Sequence, residues 1–314
     1  MNNIDIPHIP VLLDEVLESF SSIKNKRGYF VDCTLGYGGH SSAILKTYQE
    51  LKLIGIDRDN EALEFSSKRL KEFKNRVEFI RGDFASVFAN LESSPIVGIL
   101  ADFGVSSLQL DKAQRGFSFD SEVLDMRMDS SSSFSAYDIV NGYDREKLEY
   151  ILKHYGEVRS YRKVAGAIIE ARGKKTIQSA KELSAIISKV VPKGGKIHPA
   201  TLPFQAIRIE VNSELAQIDG LLDALELKAK KGELKGAIVS LITFHSLEDR
   251  LVKNRYKSWS KSCICDPNAM RCSCGKNHQL GKMLNRKPII ASKNELKKNN
   301  RSRSAKLRTF IFKG

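Results

Sequence analysis

Tyr29-Phe-Val-Asp-Cys-Thr-Leu-Gly36-Tyr-Gly38-Gly39-His40-Ser41 runs from an apolar segment straight into a glycine-rich turn. Tyr29–Cys33 reads as a strand and Ser41–Glu50 as a helix. A glycine turn between a strand and a helix lets backbone approach a ligand closely and presents free helix N-terminal N–H groups. A tight turn also needs glycine on steric grounds, so its meaning depends on what surrounds it. Leu53–Asp57 reads as a second strand, followed by a helix over Asn60–Phe73 with Ala62, Leu63, Phe65 and Leu70 as its apolar positions. Val77–Ile80 is a third strand and Val97–Asp102 a fourth. Alternating strands and helices at this spacing predict βαβ units and a parallel sheet.

The pattern changes after the serine run Ser130–Ser133, which reads as a loop. From Asp144 to about Leu227 the chain is helical throughout. Leu148, Ile151, Leu152 and Tyr155 keep helical spacing. Ser179-Ala-Lys-Glu182 is a capping box, with Leu183, Ile186, Ile187 and Val190 on the face that follows. Pro192 and Gly194-Gly195 end that helix, and Phe204–Leu227 carries one more long periodic pattern. A strand returns at Ala237–Phe244, then a helix at Leu247–Trp259 and a last apolar run at Leu307–Phe312. The chain therefore reads as an α/β domain, residues 1–110 and 216–314, interrupted by an all-helical insertion, residues 111–215.

With 314 residues, 41% hydrophobic and 28% charged, the chain is neither disordered nor fibrous. Its longest apolar runs fall far short of the 18 or so residues that span a bilayer, so no membrane association is expected. MNNIDIPHIP has neither a basic region nor an apolar stretch, so no secretory leader is expected. Five cysteines, four of them crowded together, do not form an extracellular disulfide framework and point to a reducing cytoplasm. The net charge of +14 is concentrated. Residues 251–314 hold 17 Lys/Arg and 2 Asp/Glu, and the first 250 residues nearly balance. Such a stretch is the footprint of a polyanion partner. Because Tyr256, Trp259, Phe310 and Phe312 lie among its charges, it is not a low-complexity tail, which favours nucleic acid over a merely solvated segment.

The residues around the turn also bear on the ligand. Asp57, 18 residues after Gly39, suits both hydroxyls of a ribose. Arg81-Gly-Asp83-Phe84 offers an acid and a ring for an adenine. The dinucleotide pattern G-x-G-x-x-G lacks its third glycine here, where Ser41 stands. Asp32, four residues before Gly36, would repel a pyrophosphate and suits a cationic sulfonium donor, S-adenosylmethionine. A turn-capping acid is the alternative reading of Asp32. Asp102, ending the fourth strand, is placed at the carboxyl edge of the sheet where ligands bind.

The chain closely resembles the bacterial 16S ribosomal RNA cytosine-N4 methyltransferases, the MraW/RsmH family, over nearly its full length. The likeness rests on His8–Glu15, Asp32–Ser41, Ala101–Ser107, Gln109–Asp111, Arg115–Phe119, Leu124–Asp129, Phe204–Asn212, Phe244–Arg250 and Arg303–Arg308. It implies a class I, Rossmann-like methyltransferase domain with a helical insertion that recognises substrate. It also implies that Gly38, Gly39, His40, Asp57, Phe84, Asp102 and Gln109 hold S-adenosylmethionine, and that the substrate is 16S ribosomal RNA within the small subunit. Phe103 and Leu108 replace the family's usual Leu and Pro, and Thr201-Leu-Pro-Phe lacks an Arg the family tends to carry.

An exocyclic amine is a poor nucleophile, and the chemistry needs an in-line approach to the methyl followed by loss of a proton. A carboxylate accepting from the amine would balance the developing charge, and Asp102 is the candidate catalytic residue. Nitrogen methylation needs no cysteine nucleophile, so Cys33 is read as core. His245 and Ser246 are candidates for the base pocket, with a satisfied turn histidine as the alternative for His245. Arg286, Lys287, Arg301, Arg303, Lys306 and Arg308 are candidates for RNA backbone contacts. Two other functions stay open on the residues alone: a nicotinamide-dependent oxidoreductase, and a non-catalytic RNA-binding assembly factor. Cys263-Ile-Cys265 and Cys272-Ser-Cys274, six residues apart, suit a zinc site or else a surface thiol cluster or redox-labile loop.

Overall fold

The computed structural model describes residues 9–92, 94–105, 113–191, 197–266, 268 and 271–314. Two compact units emerge: Met1–Gly104 together with Ala216–Gly314, and Val105–Leu215. The first contains one sheet with strands β1 (Gly28–Asp32), β2 (Leu51–Asp57), β3 (Val77–Arg81), β4 (Ile96–Asp102), β5 (Ile238–Thr243), β6 (Gly281–Met283), β7 (Ile289–Ile290) and β8 (Lys306–Phe312). The described helices, in chain order, begin with α1 (Leu13–Ser19), α2 (Gly39–Thr47), α3 (Asn60–Arg69) and α4 (Phe84–Ala89). The second unit holds α5 (Ala136–Gly142), α6 (Arg145–His154), α7 (Tyr161–Lys174), α8 (Ala180–Val190) and α9 (Thr201–Asn212). Then follow α10 (Glu214–Lys230), α11 (Ser246–Trp259) and α12 (Lys293–Lys298). Among the described residues no helix is long and apolar enough to cross a membrane.

Strand order is β3-β2-β1-β4-β5-β8-β6, with β7 pairing β8. β1 to β5 pair in parallel; β8 runs antiparallel to β5, β6 and β7. The expected parallel sheet is thus present and extended by an antiparallel edge. The chain winds outward from β1 to β3, then crosses back to β4 and β5. Open α/β sheets bind ligands at such a reversal, beyond the carboxyl ends of the strands, which here are those of β1 and β4. Successive side chains of the central strands enter opposite layers. Val31, Ile99, Ala101, Val239 and Leu241 pack with Ile218, Leu221, Leu225 and Val252. Phe30, Leu100, Ile238 and Ile242 pack with Val16, Phe20, Ile44 and Leu45. With both faces covered, the sheet holds its strand ends in fixed positions.

The helical unit has its own core of Leu148, Ile151, Val164, Ile168, Leu183, Ile187 and Phe204, among others. The Ser179 hydroxyl accepts from the Glu182 N–H at 3.1 Å, as the capping box predicts. The helix break at Pro192 and Gly194-Gly195 lies outside the described residues. The long pattern over Phe204–Leu227 is two helices. The chain breaks at Ser213, which is left-handed with φ 51°.

The residue before that break, Asn212, is buried. Its Oδ1 accepts from the Met128 N–H at 2.8 Å, and its Nδ2 donates to the Met126 and Arg208 carbonyls at 2.8 and 2.9 Å. Arg115 reaches the same loop, donating to the Arg127 and Met128 carbonyls at 3.1 and 2.9 Å. Three separate sequence strings, Arg115–Phe119, Leu124–Asp129 and Phe204–Asn212, therefore meet at one polar knot. Asn212→Ala takes these partners from buried backbone groups. It should destabilise the helical unit by about 2–3 kcal/mol in urea unfolding of the full chain. An unchanged midpoint would show that the knot contributes nothing.

Candidate active site

The glycine turn is built by its own neighbours. Gly36 and Gly38 have φ 51° and 68°, and Gly38 starts α2 in the left-handed region, where other residues are strained. The Leu35 N–H donates to the Ile56 carbonyl at 2.9 Å, and the Ser66 hydroxyl donates to the Gly36 carbonyl at 2.6 Å. A side chain at Gly39 would meet the Pro10 ring at 2.5 Å, so that glycine allows the segment before α1 to approach.

Three carboxylates end three adjacent strands around this turn. Asp32, at the end of β1, is buried; one oxygen accepts from the Thr34 N–H at 3.2 Å and the other from the Ser41 hydroxyl at 2.6 Å. Burial raises its pKa, and the Ser41 hydroxyl and the nearby His40 ring pull it back. Both oxygens thus shape the turn, as the alternative reading of Asp32 holds. Asp57, at the end of β2, accepts from the Gly36 N–H at 2.8 Å and the Asp59 N–H at 2.9 Å, and burial raises its pKa. Asp102, at the end of β4, donates its N–H to Thr34 Oγ1 at 2.6 Å, and its carboxylate accepts from the Gly104 N–H at 3.2 Å. Burial pushes the Asp102 carboxyl up to about 7, against the Gly104 hydrogen bond and with help from the Glu248 charge.

The other expected site residues are less uniform. His40 is buried on α2 and its Nε2 lies 2.8 Å from the Val11 carbonyl, so Nε2 carries the proton; burial lowers its pKa. Phe84 opens α4, and its ring lies 5.7 Å from that of Phe103. The departure at Phe103 therefore puts a second ring beside Phe84. Asp83, considered for an adenine, accepts from the Ser86 N–H at 2.8 Å and caps α4. Gln109 lies outside the described residues. Cys33 is buried in the core and its thiol is pushed well up by burial.

The model of the MraW methylase family matches residues 5–313. The ribosomal RNA small subunit methyltransferase H of a Sulfurovum species is 65% identical, with 98% of this chain and 99% of that protein covered. The proteins of the same name from a Nitratiruptor species and from Wolinella succinogenes are 57% and 54% identical over the same shares. This chain belongs to the MraW methylase family.

In this MraW-family chain the strand order β3-β2-β1-β4-β5 with an antiparallel β8 is the class I methyltransferase sheet. Membership sets aside the oxidoreductase. His245 caps α11, its Nδ1 accepting from the Glu248 N–H at 3.5 Å. Its Nε2 stands 3.1 Å from Glu248, whose other oxygen accepts from the Phe244 N–H at 2.7 Å. The turn role accounts for Nδ1 alone, since His245 Nε2 and Glu248 Oε1 are buried without a hydrogen-bond partner among the described residues.

The basic segment needs two corrections. Tyr256, Trp259, Phe310 and Phe312 are all buried, with ring centroids 5.2–5.5 Å apart, and fill one core layer. They cannot stack on bases, and their weight as a nucleic-acid signal is lost. Arg308 is buried too. Its guanidinium donates to both Asp249 oxygens at 2.7 and 3.2 Å, and Lys306 lies 3.6 Å from the same carboxylate. A buried guanidinium satisfied by a carboxylate is not available to a phosphate. Arg286, Lys287, Arg301 and Arg303 are exposed, as are Lys293, Lys297 and Lys298. The sequence reading missed Thr34 and Ser66, which hold the turn; single hydroxyls carry no pattern to find them by.

Proposed function

We propose that this chain transfers a methyl group from S-adenosylmethionine to the exocyclic N4 of a cytosine in the decoding region of small-subunit (16S) ribosomal RNA. The observation that carries it is the set of carboxylates ending β1, β2 and β4 around one glycine turn, with Asp102 held near neutral acidity by burial. A buried acid of this kind fits a cationic donor and is a poor neighbour for a pyrophosphate. The relatives' shared name, small subunit ribosomal RNA methyltransferase, supplies the substrate class.

When bound, the donor supplies an electrophilic methyl on a positively charged sulfur. The Asp57 oxygens each accept one backbone N–H and keep lone pairs for ribose hydroxyls. Gly38, Gly39 and the backbone N–H of His40 form the start of α2 and line the turn. Phe84 offers a ring face to the adenine, and Gln109 completes the set. Asp102 accepts a hydrogen bond from the target amine, which localises the nitrogen lone pair and balances the charge developing there. An acidity near 7 also suits it to take the departing proton at neutral pH. The insertion, residues 111–215, recognises the RNA fold, and the target base leaves its stack to reach Asp102.

Radiolabelled methyl transfer to small subunits lacking the modification, followed by nucleoside analysis, should yield N4-methylcytidine. Label in another nucleoside, or in none, would sink the reading. Changing Arg286, Lys287, Arg301 and Arg303 together to Gln should weaken binding to small-subunit RNA. It should also flatten the slope of log affinity against log salt by about 3, measured by filter binding. Arg308→Gln should destabilise the sheet and leave that slope unchanged.

A further inference from the structure

We propose that Cys263, Cys265, Cys272 and Cys274 form a structural zinc site, independent of the methyl-transfer reading. The four lie between α11 and β6, apart from the strand-end carboxylates. Their sulfurs converge: Cys272 to Cys274 is 3.6 Å, Cys263 to Cys274 3.6 Å, Cys263 to Cys272 3.7 Å, and Cys265 to Cys272 3.9 Å. All four lie within 4.8 Å of one another. A tetrahedron of thiolates about 2.3 Å from a zinc ion has an edge of about 3.8 Å. A disulfide brings two sulfurs to about 2.05 Å and leaves the others unconstrained. The observed spacings match the tetrahedral edge and not the covalent bond.

The described residues around the four cysteines give no other reason for the convergence. Among the described residues of 261–280 none is buried, and Ile264 is 63% exposed, so no apolar core gathers this loop. Its base is closed by the Leu280 N–H to the Trp259 carbonyl at 2.8 Å and the His278 N–H to the Ser262 carbonyl at 3.0 Å. Those bonds bring the two arms together but do not aim four side chains at one point. The Ser273 N–H donates to Cys265 Sγ at 3.4 Å, the kind of outer hydrogen bond that steadies a ligating thiolate. A divalent ion with four thiolates carries a net charge of −2, and Lys261, Arg271 and Lys276 in the same loop offset it. Four sulfurs with no oxygen or open position exclude a hard cation and a catalytic metal, and leave a closed, structural site. The ion would bind each C-x-C arm to the other and fix the basic loop ahead of Arg286 and Lys287.

The full chain, purified under reducing conditions without chelator, should carry about one zinc per molecule by elemental analysis. Refolding or exchange with cobalt(II) alone should give the intense visible absorption of a tetrahedral sulfur-ligated ion. Cys272→Ser should cut bound zinc by about tenfold or more, as should changing Cys263 and Cys265 together. Cys33→Ser should leave it unchanged. Stoichiometric iron in place of zinc would overturn the assignment. So would metal-free protein in which four thiols react rapidly with a disulfide reagent, or protein with these cysteines oxidised in pairs. Because the wild-type cobalt spectrum needs no variant, a misfolded substitution would not obscure the result.

Discussion

Asp102→Asn should lower kcat/KM for methyl transfer by about 10²- to 10³-fold while the protein stays folded. Asparagine is the same size and still accepts from the Gly104 N–H, so the strand end keeps its shape. What disappears is the negative charge and the capacity to hold a proton. The wild-type pH profile carries the same information. With the free carboxyl near 7, Asp102 is protonated below that pH and ionised above it. The value of kcat/KM measured against the donor should therefore fall as pH drops through about 7, and the Asn variant should lack that limb. A bound cation favours the ionised form, so the limb in kcat should lie at lower pH. Stability should move the other way. A carboxyl whose acidity is weakened by folding stabilises the protein at low pH, and that contribution is lost as pH rises through about 7. The Asn variant should therefore melt a few degrees higher than wild type above pH 7. Retained activity in Asp102→Asn would remove the residue from the chemistry.

Asp57→Ala is expected to weaken donor binding by about 100-fold, or roughly 3 kcal/mol, measured by calorimetry. Two effects combine. The Gly36 and Asp59 N–H groups lose their acceptor, which loosens the turn, and the ribose loses its carboxylate. Asp57→Asn separates them. Its amide oxygen keeps one backbone partner, so the turn is largely preserved while the charged acceptor is gone. A loss in Ala fully restored in Asn would mean that Asp57 only braces the glycine turn. A comparable loss in both would mean that it holds the ribose. Unchanged affinity in Ala would contradict both roles.

The sequence revealed those parts of the fold that are buried on both sides. β2, β4 and β5 are near-continuous apolar runs, and such runs read as strands whatever their partners. The carboxylates were legible because parallel topology puts strand ends, and so Asp57 and Asp102, at one edge. β6 and β7, with three and two residues, are too short to carry a period. The break at Ser213 was hidden because apolar spacing continues from α9 into α10; a serine in the left-handed region leaves no compositional mark. The tail misled for a different reason. Charge is read as exposed by default, yet Arg308 is matched by Asp249, 59 residues earlier, and no local pattern announces a pair that distant. The four aromatics looked like a base-stacking set because aromatic residues beside lysines have that meaning only on a surface.

The place of β8 has a consequence for biosynthesis. β5 pairs with β8 through Ile238↔Ile311 to Thr243↔Lys306, so its partner leaves the exit tunnel nearly seventy residues after it does. Until then one flank of the nascent sheet is bare, and the layer containing Tyr256 and Trp259 lacks Phe310 and Phe312. A polypeptide stalled or clipped ahead of Lys306 would present an unpaired, apolar edge to whatever chaperone or protease waits outside.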